Sequence, residues 1–228
     1  MDRAAIFDVD DTIVDGQSQQ ILAKYLFKKG KISKIIFFKI FFYFLFYKMG
    51  LLKDLLLMRK RIYKAIITNW KVDELKCLCK ECFDTCIKSR IYIKAIELIQ
   101  EHKKKGHIII LLSAAISEIV ENIANYVDAD YFYATELEKK DKVYTGQIKD
   151  NPVYGEYKFN LIQSLANKHG FNLSKSTFYS DSYSDSTIYY LIKNFITVNP
   201  DAKMKSFANA NNLKSIYFKE KIGSIFKK

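Results

Sequence analysis

Two aspartates two residues apart, Asp8 and Asp10 in the run Asp8-Val9-Asp10-Asp11-Thr12, follow the short apolar stretch Ala4-Ala5-Ile6-Phe7. Residues 3–8 read as a buried strand. Residues two apart on a strand share a side, so both carboxylates are expected together at its C-terminal end, where open α/β sheets place their ligands. An aspartate with an ordinary pKa of about 3.9 is ionised at neutral pH, so one of the pair needs no base to act as a nucleophile. Two close carboxylates resist simultaneous ionisation; the other can therefore hold a proton, give it to a leaving group and later take one from water. An acidic loop with no chemical role has the same short signature, and the pair alone does not separate the two readings.

Further positions narrow the choice. Ile110-Leu111-Leu112 reads as part of a strand over 107–112 that delivers Ser113 to the start of a helix beginning near Ser117, with small Ala114 and Ala115 letting a ligand approach the backbone. Amides in such a turn suit a phosphate oxygen, although a serine after a strand is also an ordinary cap. Lys158 falls just after Gly155 at the start of a predicted helix, where the helix dipole disfavours a cation. Either it reaches back to neutralise Asp8 and an incoming phosphoryl group, or it is a solvated surface lysine. Ser180-Asp181-Ser182-Tyr183-Ser184-Asp185 follows strand-like Phe178-Tyr179 and brings two more carboxylates to a strand end. With Asp8 and Asp10 they crowd negative charge together, which is costly unless a divalent cation sits among them. An all-oxygen site that must also touch phosphate suits Mg²⁺.

The elements that must position these residues can be read from their spacing. A strand-helix-strand unit needs only about 30 residues, so roughly 70 of those between the first strand and the strand at 107–112 are surplus and should form an inserted domain. The surplus has no proline, and Gly30 and Gly50 punctuate helically spaced groups such as Ile21, Leu22, Tyr25, Leu26 and Leu51, Leu52, Leu55, Leu56. This predicts a bundle with helices over 17–29, 32–48, 51–69 and 73–88. From residue 91 the pattern alternates: helix, strand 107–112, helix 116–126, strand 131–134, hairpin-like 143–147 and helix 156–169. Strand 177–180, a short helix, strand 195–198, helix 201–211 and strand 215–218 follow. The expectation is an α/β protein with a Rossmann-like, mainly parallel sheet built from 1–14 and 91–228, and a helical cap at 15–90.

Asp8-Val9-Asp10-Asp11-Thr12, Ser113, Lys158 and the pair Asp181 and Asp185, in this order and each at a sheet edge, resemble the haloacid dehalogenase superfamily. The helical insert after the first motif resembles a type-one cap. The stretches TELEKKDKVYTGQI, GEYK, YSDSYSD and VNPD resemble subfamily IB, the phosphoserine-phosphatase-like branch. The resemblance implies a Mg²⁺-dependent phosphomonoester hydrolase working through an aspartyl-phosphate, with Asp8 as nucleophile and Asp10 as general acid and then base. It implies Mg²⁺ ligation by Asp8, the Asp10 backbone carbonyl and Asp181. Ser113 and Lys158 would hold the phosphoryl oxygens with Thr12 and Ala114 beside them, and Asp185 would orient Lys158 or a metal-bound water. A phosphotransferase would share every one of these residues; a non-catalytic phosphate-ligand or membrane-surface binding module on the same scaffold is the alternative from another class. In phosphoserine phosphatases an acidic residue shortly after the first motif meets the substrate's ammonium group, and neutral Gln17 stands there instead. Gln17 and Arg59 are candidate substrate contacts; Arg59 and Arg61 otherwise belong to an exposed basic helix face. Asp11 is given no role.

The 228 residues carry a net charge of +12, from lysines spread along the whole chain. A small phosphorylated substrate or a membrane surface fits this balance. Nucleic acid would call for a basic stripe interleaved with exposed aromatics, which the sequence lacks. The N-terminal run turns acidic too early for a secretory signal, so a cytoplasmic location is expected. The apolar stretch 35–47 is bracketed by Lys34 and Lys48 and broken by Lys39, short of the about 20 apolar residues a span needs. It reads as a helix packed inside the bundle, with a lid over a lipid-like substrate, a dimer contact or membrane contact as alternatives. Cys79, Cys82 and Cys86 follow the i, i+3, i+7 spacing of one helix face, so with Cys77 they read as buried free thiols before a zinc or redox site.

Overall fold

The computed structural model describes the backbone of residues 2–48 and 55–225, with side chains except at 44, 47, 48, 55–59 and 225. Strand β1 (Ala4–Asp8) is followed by helices α1 (Ser18–Lys28), α2 (Lys34–Lys48), α3 (Leu55–Ile67) and α4 (Val72–Cys82). The last runs on through a π-helical turn, Phe83–Ile87, and a 3-10 turn, Lys88–Arg90. Then come α5 (Ile93–Lys104), β2 (Ile108–Ile116), α6 (Ser117–Val127), β3 (Tyr131–Thr135), and a hairpin of β4 (Leu137–Lys140) and β5 (Val143–Ile148). The chain continues with α7 (Gly155–His169), β6 (Thr177–Ser180), a 3-10 segment Tyr183–Tyr190, β7 (Asn194–Val198), α8 (Ala202–Ala210), β8 (Lys214–Ile216) and α9 (Ile222–Ile225). Among the described residues five α-helices lie between β1 and β2, α1 to α4 of them in the stretch read as an insert; Leu51 and Leu52 of the predicted third helix lie outside the described residues.

Six strands form one parallel sheet in the order β3-β2-β1-β6-β7-β8. The chain order reverses between β1 and β6, so the crevice of a doubly wound sheet opens at the ends of exactly the strands that carry Asp8 and Asp181. Strand alternation divides the core. Ala5 and Phe7 join a hydrophobic cluster with α1, α4, α5 and α6, while Ala4 and Ile6 join Ile162, Leu165 and Met204 of α7 and α8. Asp8 continues the parity of Ala4 and Ile6 and so faces the α7 side.

The insert is not cut off from the sheet. Leu22, Tyr63, Leu75 and Cys79 belong to the same cluster as Phe7 and Leu111. The β4-β5 hairpin, which the sequence groups with the sheet, packs on α3, with Tyr144 N–H donating to the Trp70 carbonyl and Asn69 N–H to the Tyr144 carbonyl. Gly146 makes that approach workable: its φ is +80°, and a Cβ there would collide with Thr68 Oγ1 and lie 3.0 Å from Lys64 Cα.

Cys79 and Cys82 are buried on the inner face of α4, Cys86 is half-buried on the π turn and Cys77 is exposed. Burial pushes the Cys82 thiol up to about 12 and holds Cys79 well above the ordinary range, so both are protonated thiols at neutral pH.

The expectation for α2 fails. Ile40 is buried and Ile36 and Phe37 are half-buried against the bundle, but Ile35, Phe38, Phe41, Phe42, Leu45 and Phe46 are 40 to 70% exposed. A helix lying on the outside of the insert has only one face to bury, and α2 has more apolar faces than that. Among the described residues no helix is long and apolar enough to cross a membrane.

Candidate active site

The first turn of α7 lies beside the end of β1, on the side to which Asp8 points. Lys158 is buried there, 2% exposed, and its Nζ donates to Asp8 Oδ1 at 2.6 Å and to Asp185 Oδ2 at 2.7 Å. Lys158 is thus not a solvated surface lysine: the anions that offset its position on the helix dipole are these two carboxylates. Burial works against the cation, but Asp185 and Asp8 outweigh it and hold its pKa above the ordinary lysine value. Asp185 is fixed further by Ser180 Oγ, which donates to the same Oδ2 at 2.7 Å.

Asp8 itself is pushed up to about 7, by burial first and by Asp185 and Asp10, against the opposing pull of Lys158. Asp181, just past β6, keeps some exposure, yet burial and the charges of Asp8, Asp11 and Asp185 raise it well above the ordinary carboxylate range. Its side chain accepts from Thr12 Oγ1 at 3.4 Å, and no ion pair reaches it among the described residues. One lysine therefore serves a centre of three carboxylates, and full ionisation of all three would leave negative charge unbalanced. No three His, Cys, Asp or Glu side chains among the described residues are placed to hold a metal ion by themselves. A cation would need the two-carboxylate set of Asp8 and Asp181 completed by backbone or ligand oxygens.

Asp10 lies beyond the strand, and its Oδ1 accepts from the Ser18 backbone N–H at 2.9 Å, tying it to the first turn of α1. Asp11, given no role from the sequence, shapes the loop. At φ +57° its carboxylate accepts from Gly16 N–H at 2.9 Å and from Gln17 Nε2 at 2.7 Å. Gln17 is thus held by Asp11 at the N-terminus of α1.

Ser113 is not at a helix start. β2 continues to Ile116, with a register shift against β3 between Ser113 and Ile116, and α6 begins only at Ser117. The local feature is a bulge, in which buried Ser113 Oγ accepts from Ala115 N–H at 3.1 Å. The Ala114 carbonyl accepts from Thr135 Oγ1 and from Gln19 Nε2, each at 2.9 Å, and Gln19 Oε1 in turn accepts from Tyr63 OH at 2.7 Å. These contacts join β2, β3, α1 and α3 around the bulge. The Arg59 side chain lies outside the described residues, and Arg61 is exposed on α3.

Sequence reasoning missed Ser18, Gln19, Tyr63, Thr135 and Ser180. Ser18 has a buried Oγ with no hydrogen-bond partner among the described residues, beside the anchor of Asp10. Ser180 lies in the acidic strand end already singled out, five residues from Asp185; Gln19, Tyr63 and Thr135 are brought in by tertiary packing, and α1 is capped at Gln17 without a side-chain bond, so no cap signal marks Ser18.

Residues 5–187 match the family of haloacid dehalogenase-like hydrolases. The chain belongs to that family. It is 30% identical over 210 residues to a Mycobacterium tuberculosis protein named phosphoserine phosphatase SerB1, covering 90% of this hydrolase and 67% of the relative. A crystal structure of a Bordetella pertussis protein of unknown function superposes with a TM-score of 0.86 at 23% identity, covering 95% and 98% of the two chains. A phospho-aspartyl intermediate analogue of phosphoserine phosphatase superposes with a TM-score of 0.68 at 19% identity, covering 99% and 98%. These two likenesses concern the fold. This hydrolase shares with them the parallel sheet that brings Asp8, Lys158 and Asp185 together.

Proposed function

We propose that this hydrolase is a phosphatase that cleaves a small phosphomonoester through a phosphorylated Asp8. The observation that carries the reading is the buried Lys158 held between Asp8 and Asp185 at the switch point of the sheet. A carboxylate oriented by a buried cation attacks phosphorus without a separate base, and the same cation faces the charge gathering on the phosphoryl oxygens. Asp185 and Ser180 keep Lys158 in place as the charge on Asp8 is consumed. Asp10, anchored through Oδ1 to α1, protonates the leaving oxygen and then takes a proton from the water that releases phosphate. Ser113, Ala114 and Thr12 line the phosphoryl pocket.

The surplus carboxylates, Asp8 and Asp181, fit Mg²⁺, with the Asp10 backbone carbonyl as a third oxygen. The metal would supply charge neutralisation and polarise a phosphoryl oxygen. Residues 15–90 act in this reading as a cap over a core of 1–14 and 91–228. Gln19 and Tyr63 link the cap to the Ala114 bulge, so its movement is felt at the phosphoryl pocket. The relatives' named substrate, phosphoserine, carries an ammonium group. Gln17, an amide already held by Asp11, offers it no charge.

The test is phosphate release from a panel that includes phosphoserine, sugar phosphates, phosphocholine and lysophosphatidate, with Mg²⁺ or EDTA, for the wild type and Asp8→Asn. Metal-dependent turnover that falls by about 10⁴-fold or more in Asp8→Asn is the expected result. No turnover on any ester together with no binding of beryllium fluoride would sink the reading. Addition of acceptor alcohols separates hydrolysis from phosphotransfer by the product formed.

A further inference from the structure

The outer face of α2 is a surface with a job. Phe38, Phe41, Phe42 and Phe46 are each more than 40% exposed, joined by Ile35 at 70% and Leu45 at 40%. Some of them meet one another: Phe41 meets Phe42 edge-on with centroids 5.8 Å apart, and Phe42 stacks on Phe46 at 6.2 Å. The opposite face is the one that is anchored, through Ile40 and through Phe37 stacked on Phe27 of α1 at 4.4 Å. An isolated exposed aromatic needs no explanation, but six large apolar side chains on one helix mark a contact surface.

We propose that this face docks on an anionic lipid surface. Charge selects the occupant. No aspartate or glutamate occurs between Lys34 and Lys48, and exposed Lys34 and Lys39 flank the groove walled by Phe38, Phe42 and Phe46. Exposed Lys24 and Lys28 lie on neighbouring α1, and the whole chain carries +12. A second copy would bring two lysine-flanked faces of a strongly cationic protein together. It would also have to hold on six side chains where a stable interface uses about 20–30 residues a side. A bilayer rich in acidic headgroups satisfies both halves of the surface at once: rings and aliphatic chains enter the headgroup boundary, and lysines meet the negative charge. The dimensions agree. Fifteen residues make a helix of about 22 Å, long enough to lie in the interface and short of the about 30 Å hydrocarbon core. The proposal stands whether or not the site turns over.

The experiment is co-sedimentation of the full chain with vesicles of phosphatidylcholine alone and of phosphatidylcholine mixed with phosphatidylglycerol, at low and high salt, with gel filtration in parallel. The expected result is binding about tenfold or more tighter to the mixed vesicles, weakened by salt. The variant F38S/F42S/F46S should lose about a hundredfold or more in affinity. The double variant K34E/K39E, which alters only exposed side chains, should lose the preference for the anionic vesicles and serves if the triple variant fails to fold. Absence of wild-type binding to the mixed vesicles overturns the proposal, as does binding that neither variant weakens. A wild-type dimer that F38S/F42S/F46S converts to monomer, with no vesicle binding by either, gives the face to a second copy instead.

Discussion

The strand-end centre and the outer face of α2 break the same rule in opposite directions. One buries a lysine with two carboxylates; the other leaves six large apolar side chains in water. Burying charge costs free energy that only close pairing offsets, and exposing hydrocarbon forgoes stabilisation that folding would otherwise gain. Neither is explained by stability. The first is closed on itself by short bonds from Lys158 and Ser180, so its purpose is internal; the second has no counterpart among the described residues, and the proposed lipid surface would supply one.

The sharpest way to break the comparison is to remove the cation. Lys158→Met leaves Asp8 and Asp185 buried without their positive partner, and the expected loss of stability is about 3–5 kcal/mol. Urea unfolding of the two proteins in the same buffer measures it. A loss below about 1 kcal/mol would mean that the carboxylates are reached by solvent, and the contrast with α2 would collapse.

A second effect lies under the same strand. His102 is wedged beneath β1, with Nε2 2.8 Å from Tyr179 OH, Nδ1 2.8 Å from His107 Nδ1, and its ring edge-on to Phe7. Burial, helped by the charges of His107 and Lys105, lowers its pKa from 6.5 to about 4. Above pH 6.5 the ring is neutral folded or unfolded. Between 6.5 and about 4 the unfolded chain binds a proton that the folded one refuses, so stability falls as the pH drops through that window. The loss is up to about 3 kcal/mol, and this contribution is flat below it. His107, lowered by its own burial, acts in the same direction. Unfolding midpoints at about pH 7.5 and about pH 4.5 should differ more in the wild type than in His102→Asn.

Much of the strand-end centre was legible because each of its signals is local. An apolar strand ending in acids, a lysine on the wrong end of a helix dipole and a second acidic strand end are all written within a few residues. The α7 side of Asp8 follows from counting Ala4, Ile6, Asp8. The bulge at Ser113 was not legible: β2 runs four residues further because β3 pairs with Ser113 and again with Ile116, and a run such as Ser113-Ala114-Ala115-Ile116 carries no mark of that. Gln19, Tyr63 and Thr135 meet at Ala114 only through packing of distant segments. For α2 the reason is different. A helix apolar on nearly every side has no periodicity to say which face turns inward, so burial was the natural expectation and the fold alone reveals the excess.

The seam beside α2 gives a smaller effect and sharpens the contrast within the insert. Its neighbour α3 is pressed on β5 so closely that only glycine fits at position 146, whereas α2 has a whole face uncovered. Gly146→Ala adds a Cβ against Thr68 and Lys64 at a φ that alanine resists, with an expected cost of about 1–3 kcal/mol. A thermal melt checks it. An unchanged midpoint would show that the hairpin shifts away freely, and that the insert is looser on both sides than the packing of α3 implies.

The smallest expected effect is the most telling for α2. Phe38→Ser removes a ring that is 54% exposed and meets Phe37 edge-on at 6.0 Å, so its loss should move stability by no more than about 0.5 kcal/mol. A buried phenylalanine truncated in the core costs about 3–5 kcal/mol. Equilibrium unfolding of Phe38→Ser therefore distinguishes a ring kept for an external partner from one kept for the fold. A loss in the core range would return α2 to the bundle and leave the strand-end centre as the one region shaped against stability.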